Sequence, residues 1–142
     1  MSKRILMVCL GNICRSPIAH GIMADISPNS FVDSAGSGSY HIGSPPDLRS
    51  IQVAQDNGID ISHQSARQFQ PNDFTKFDHI FVMDRQNYRD VIAKANHQDD
   101  IDKVLELEER HFGALAGQGM VNIKLKNYDK AKRSYQKAQE IY

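Results

Sequence analysis

The chain is expected to fold as an α/β protein, a small parallel β-sheet flanked by helices, with a C-terminal helical hairpin. Three observations predict this. Short apolar runs alternate with helical periodicity in the order strand, helix, strand, helix, strand, helix. A cysteine and an arginine, Cys9 and Arg15, bracket the first strand-to-helix turn, where parallel sheets place their ligands. After about residue 96 the strand pattern stops and helical periodicity continues.

The elements justify themselves in turn. Arg4 to Cys9 is a continuous apolar run, as expected of a strand buried on both faces. Gly11 and Asn12 break it, and Ser16-Pro17 opens a helix, since proline in a first turn has no donor to lose. Ile18, Gly21, Ile22 and Ile26 keep helical spacing to Ile26, and Ser27-Pro28-Asn29 ends the segment. Phe31 to Ala35 reads as a second strand closed by Gly36-Ser37-Gly38, and Gly43 to Leu48 as a loop. Asp47 to Asn57 reads as a helix followed by Gly58. A loop containing Ser62 to Gln68 leads to a third strand, assigned to Phe74 and Phe77 to Met83, and then to a helix over Asp84 to Lys94. From Ile101 onward the sequence reads as helix, and no fourth strand is expected.

Composition narrows the function classes. With 142 residues, 40% hydrophobic and 24% charged, the chain can bury a core. Lysine plus arginine equals aspartate plus glutamate at 17 each, so a general nucleic-acid or membrane-surface binder is not expected. The run Ile5 to Leu10 is too short for a signal-peptide core or a membrane span. Two cysteines five residues apart make a poor disulfide framework and point to a reduced, cytoplasmic setting. The six histidines show no metal-ligand spacing, so no metal is expected.

The chemistry concentrates in Cys9-Leu10-Gly11-Asn12-Ile13-Cys14-Arg15-Ser16. A loop of this length can curl so that successive backbone N–H groups point inward as an anion-binding nest. The following helix aims its positive end at the same point, which favours the thiolate form of Cys9. Arg15 can grip two phosphate oxygens with its planar fork. The Ser16 hydroxyl can donate to the sulfur. Gly11 permits unusual backbone angles, and Asn12 tolerates a left-handed one. Cys9 taken alone reads as a buried core residue; Arg15 and Ser16 at this spacing before a helix start make the functional reading the better one.

This segment resembles the low-molecular-weight protein tyrosine phosphatases. The resemblance spans roughly residues 3–96 and rests on VCLGNICRSP, with VDSAG at Val32 to Gly36, ARQ at Ala66 to Gln68, FDHIFVMD at Phe77 to Asp84 and NYRD at Asn87 to Asp90. It implies hydrolysis of phosphotyrosine or a small phosphate ester through a phosphocysteine, with no cofactor. Cys9 would be the nucleophile and Arg15 the phosphate-binding group, with Ser16 assisting. Leu10, Gly11, Asn12, Ile13 and Cys14 would wrap the phosphate, and Leu10, Ile13 and Tyr40 would line the pocket mouth. Asn12, Ser16 and Ser34 would form the hydrogen-bond network that supports the loop. Cys14 would form a protective, reversible disulfide with Cys9. His63 lies one residue off the family's spacing to Arg67 and reads as a solvated loop histidine.

The sequence also departs from the resemblance. The family carries its general acid in an Asp-Pro-aromatic motif on a late loop, and this chain contains no Asp-Pro dipeptide. The general acid is therefore unassigned. Asp99, Asp100 and Asp102 are the acids near that loop's place, and a solvated linker or a helix first turn is their better reading. Without a donor, turnover of phosphotyrosine is expected to fall by about 10²–10⁴-fold. Residues 112–142 resemble a single tetratricopeptide repeat, with Gly119, Tyr128, Ala131, Tyr135 and Ala138 on its signature positions. One repeat cannot bury its own face. The expected organisation is a phosphatase-like core over 1–96 and a helical tail over 97–142, packed on the core or docking a protein partner. Two rivals remain: a weak or inactive module that binds anionic or phosphorylated ligands, and an arsenate reductase, which needs relay cysteines beyond Cys14.

Overall fold

The computed structural model describes residues 3–106. β1 (Arg4–Cys9) leads into α1 (Arg15–Ile26), followed by β2 (Phe31–Gly36) and α2 (Leu48–Gln55). A one-turn helix α3 (Asp73–Lys76) precedes β3 (His79–Val82), and α4 (Arg85–Ile92), α5 (Gln98–Asp102) and β4 (Val104–Glu106) complete the described chain. The four strands form one sheet in the order β2-β1-β3-β4, with every adjacent pair parallel.

The central position of β1 explains its unbroken apolar run. Ile5, Met7 and Cys9 face one layer, against Ile18, Ala19, Ile22 and Met23 of α1, Ala54 of α2, and Ile61. Leu6 and Val8 face the other, against Phe69, Phe74, Phe77 and Val91. Strand side chains alternate between faces, so only a strand covered on both sides can be apolar throughout. Burying each large aliphatic side chain stabilises the fold by roughly 1.5–3 kcal/mol.

Sheet order fixes where a site can form. β2 and β3 flank β1 on opposite sides, so the chain leaves β1 in one direction and returns past it in the other. A crevice opens at the carboxyl ends of β1 and β3. Cys9 ends β1, and Met83-Asp84 follows β3 at that same edge.

Two expectations are corrected. A fourth strand exists: Ile80, Phe81 and Val82 pair with Val104, Leu105 and Glu106. Its three residues are too few to show a period, and partly exposed Leu105 and Glu106 give it no apolar run; pairing with β3 makes it a strand. Phe74, assigned to the third strand, lies in α3 instead. The Phe77 amide donates to the Asp73 carbonyl at 3.1 Å and closes that turn. The Phe74 ring then packs edge-on against Phe69, centroids 5.1 Å apart. The tetratricopeptide-like hairpin expected over 112–142 lies outside the described residues.

Candidate active site

The segment from Cys9 to Ser16 turns sharply between β1 and α1, and Asn12 takes the left-handed conformation that makes this possible, with φ +58°. Asparagine tolerates that region better than most residues. The loop closes over its own sulfur. Asn12 N–H donates to Cys9 Sγ at 3.3 Å, and Asn12 Nδ2 donates to Ser16 Oγ at 2.8 Å. Ser16 Oγ lies 3.0 Å from Cys9 Sγ. With one lone pair of Ser16 occupied by the asparagine amide, its proton is free to point at the sulfur. Cys9 is a free thiol and only 3% exposed.

α1 begins at Arg15 with Cys14 as its N-cap, and no side chain caps its first amides. The uncapped end carries partial positive charge towards the loop. The Arg15 guanidinium meets the Asp84 carboxylate at 3.2 Å, with its side chain 35% exposed. Asp84 also caps α4 by accepting from Asn87 N–H at 2.8 Å. Burial pushes the Cys14 thiol above its ordinary range, and the nearby Asp47 carboxylate pushes it further.

A cleft of about 190 Å³ opens over the sulfur, lined by Cys9, Leu10, Gly11, Ile13, Cys14, Arg15, Tyr40 and His41. Leu10 and Tyr40 rim it and are 46% and 74% exposed. The fold thus gathers Cys9, Leu10, Gly11, Ile13, Cys14, Arg15 and Tyr40 at one place, with Asn12 and Ser16 buried beneath them. Ser34 stands apart. It sits beside Met7, two residues short of the Cys9 register, and its hydroxyl lies 3.1 Å from His20 Nδ1 on α1. Burial lowers the His20 pKa, partly offset by the Asp33 carboxylate. His63 is exposed. Asp99, Asp100 and Asp102 belong to α5, which enters the amino end of β4. They lie at the edge of the parallel sheet opposite to Cys9, and Asp100 caps its own helix through the Asn96 and His97 amides.

Sequence reasoning missed the brace behind the loop. Arg67 N–H donates to Asn12 Oδ1 at 3.1 Å. The Arg67 carbonyl accepts from Gly36 N–H at 2.8 Å, and its guanidinium forks onto Asp73 with two 3.0 Å bonds while Nε reaches Asp33 at 3.1 Å. Gly36 lets the β2 turn press on the loop, because a Cβ there would stand 2.8 Å from the Leu10 carbonyl oxygen. The signal was present in VDSAG and ARQ, but their pairing is tertiary. Asp73 is 2% exposed. Asp73→Ala is expected to cost about 2–3 kcal/mol, because it strands part of a half-buried guanidinium. A thermal midpoint lower by about 10 °C is the corresponding result; an unchanged midpoint would show that Arg67 needs only Asp33.

Fold and site together define a class: parallel α/β proteins that hold a buried cysteine in the turn between the first strand and the first helix. A family model described as low molecular weight phosphotyrosine protein phosphatase matches residues 4–114, and the chain belongs to that family. The human low molecular weight phosphotyrosine protein phosphatase is 44% identical over 112 residues, covering 75% of this chain and 70% of that protein. The Schizosaccharomyces pombe relative of the same name is 40% identical over 127 residues, covering 84% and 77%. A crystal structure of protein tyrosine phosphatase from Entamoeba histolytica superposes with a TM-score of 0.75 at 27% identity, covering 97% of each chain.

Proposed function

We propose that this chain hydrolyses phosphotyrosine in two steps through a phosphocysteine on Cys9. The observation that carries the reading is a buried sulfur held by the Ser16 hydroxyl at 3.0 Å and the Asn12 amide at 3.3 Å, in a cleft that also contains Arg15. Both contacts can donate a hydrogen bond to the sulfur. Cys9 attacks phosphorus, the bond to the phenolic oxygen breaks, and the phosphoryl group passes to sulfur. Loop amides and the Arg15 fork hold the equatorial oxygens as charge spreads over them. Water then attacks phosphorus. The sulfur leaves with its electron pair, and Ser16 steadies it by donation. Leu10, Ile13 and Tyr40 give the cleft apolar walls that suit an aryl ring.

The same reading assigns loop support to Asn12 and the Arg67 brace, and a protective disulfide with Cys9 to Cys14. Free thiols on both cysteines suit a reducing cytoplasm. Residues 112–142 are assigned as a tetratricopeptide-like hairpin that packs on the core or docks a partner.

Acid quenching within the first turnover of an aryl phosphate tests the reaction. The phosphoryl group is expected on the Cys9 peptide by mass, with phenol and phosphate released in equal amounts at steady state. Phosphate release with no phosphoenzyme, or no turnover of an activated ester, would overturn the two-step reading.

A further inference from the structure

Single exposed apolar side chains are ordinary on a soluble protein; a group of them on one face is not. Among the described residues, the large hydrophobic side chains that stand out in solvent are Leu10, Phe31, Tyr40, Ile42 and Leu48. Phe31 opens β2 at the amino edge of the sheet, where it stacks on Phe77 beneath the Arg4 guanidinium. The other four come from the nucleophile loop, the loop after β2 and the first turn of α2. Those three segments border the carboxyl edge, where the cleft opens.

Leu10 and Tyr40 belong to the cleft itself. A Cβ on Gly38 would stand 2.6 Å from Tyr40 Cε2 and 3.5 Å from Leu10 Cδ1, so both side chains lie over one glycine and make a shared apolar wall. Ile42 and Leu48 lie beyond the lining residues but are tied to them. Ile42 is 60% exposed and follows His41, which lines the cleft. Leu48 is 80% exposed and follows Asp47, whose N–H donates to the Ile13 carbonyl at 2.8 Å. Neither side chain joins a core layer. The segment between them is pinned: Ser44 N–H donates to the His41 carbonyl at 2.9 Å, Gly43 N–H to Ala66 and Ala66 N–H back to Ser44, both at 2.8 Å. The surface is therefore preformed, and a ligand that covers it has little of the protein to order.

We infer that Ile42 and Leu48 extend the cleft into an apolar docking surface for a hydrophobic side chain that neighbours the phosphotyrosine of a protein substrate. The inference rests on the phosphatase reading above and names its substrate class: phosphotyrosine within an apolar stretch of polypeptide, rather than a small phosphate ester. Continuity with the cleft decides the occupant. A phosphotyrosine whose phosphate sits over Cys9 brings its own backbone to the mouth, so the residues beside it must lie on the rim. A small ester leaves that rim bare. The charge at the start of α2 fits the same occupant. Arg49, the charged neighbour of Leu48, is paired with Asp47 at 3.1 Å, which leaves little net charge there for an acidic or basic segment to read. An apolar side chain laid on Ile42 and Leu48 removes both surfaces from water.

Phosphotyrosine peptides in which each flanking residue is varied in turn among Leu, Ser, Asp and Lys test this with wild type and the double variant Ile42→Ser, Leu48→Ser. In wild type, kcat/KM at one flanking position is expected to be about tenfold higher for Leu than for Asp. The double variant should lose that preference through a raised KM for the Leu peptide with kcat unchanged, the pattern of lost uniform binding. Its kcat/KM on an aryl phosphate without a peptide should match wild type. Its thermal midpoint should stay within a few degrees, because both side chains stand in solvent. No flank preference in wild type, or the same preference in the double variant, would overturn the inference and leave turnover of the aryl phosphate intact. Dimerisation that the double variant abolishes, with no flank preference, would assign the surface to a second copy of the chain and overturn it too. A midpoint lowered by about 10 °C would do the same by assigning the surface to residues 107–142. Failure of wild type to turn over any aryl phosphate would sink the phosphatase reading itself.

Discussion

Cys9→Ser is expected to lower turnover of aryl phosphates by at least about 10⁴-fold, because a hydroxyl in the same nest remains protonated and attacks phosphorus far more weakly than a thiolate. The geometry makes the substitution clean. The cysteine is 3% exposed, and the contacts to its sulfur come from the Asn12 amide and the Ser16 hydroxyl. Both can also donate to a serine oxygen. The fold should survive, and so should the anion site made by the loop amides and Arg15. Phosphate or vanadate should therefore still raise the thermal midpoint of Cys9→Ser, while phosphoenzyme becomes undetectable by mass. Residual turnover above about 1% of wild type, with wild-type leaving-group dependence, would mean that another group attacks phosphorus.

Arg15→Lys is expected to lower kcat by about 10²–10³-fold while changing KM by less than about tenfold. Lysine keeps the charge, so ground-state attraction for a dianion persists. It lacks the planar fork that grips two equatorial oxygens as the phosphoryl group flattens between its two partners. In the structure the guanidinium is paired with Asp84 at 3.2 Å, across the crevice between β1 and β3. This surface pair is about one-third exposed on the Arg15 side, so it adds little to stability, and the variant should unfold within a few degrees of wild type. A kcat within about threefold of wild type would rule out a transition-state role for the fork.

Much of the site was legible because it is local. Cys9, Asn12, Arg15 and Ser16 lie within one strand-to-helix turn. Asn12, expected as a loop-bracing residue, takes φ +58° and bonds to Ser16 and Arg67. The first three strands and the helices α1, α2 and α4 were also found, with ends shifted by a few residues, as fraying and capping allow. β4 was not found, because a three-residue strand has no period and owes its conformation to a neighbour. α3 was not found for the same reason of length, and Phe74 was counted with a strand.

The sequence by itself determined a parallel α/β core, a nucleophile loop at the end of β1, and the absence of any Asp-Pro donor motif. Each of these depends on contacts between residues a few positions apart, or on composition alone. Tertiary structure decided what surrounds the loop. Asp84 meets Arg15 across 69 residues because β3 lies beside β1. Arg67 reaches Asn12 across 55 residues because its backbone pairs with the turn after β2. His41 reaches Gly11 because the loop after β2 folds back over the carboxyl edge of the sheet. Such pairings arise from sheet order and from the bending of loops over a common edge, which residue spacing along the chain does not encode.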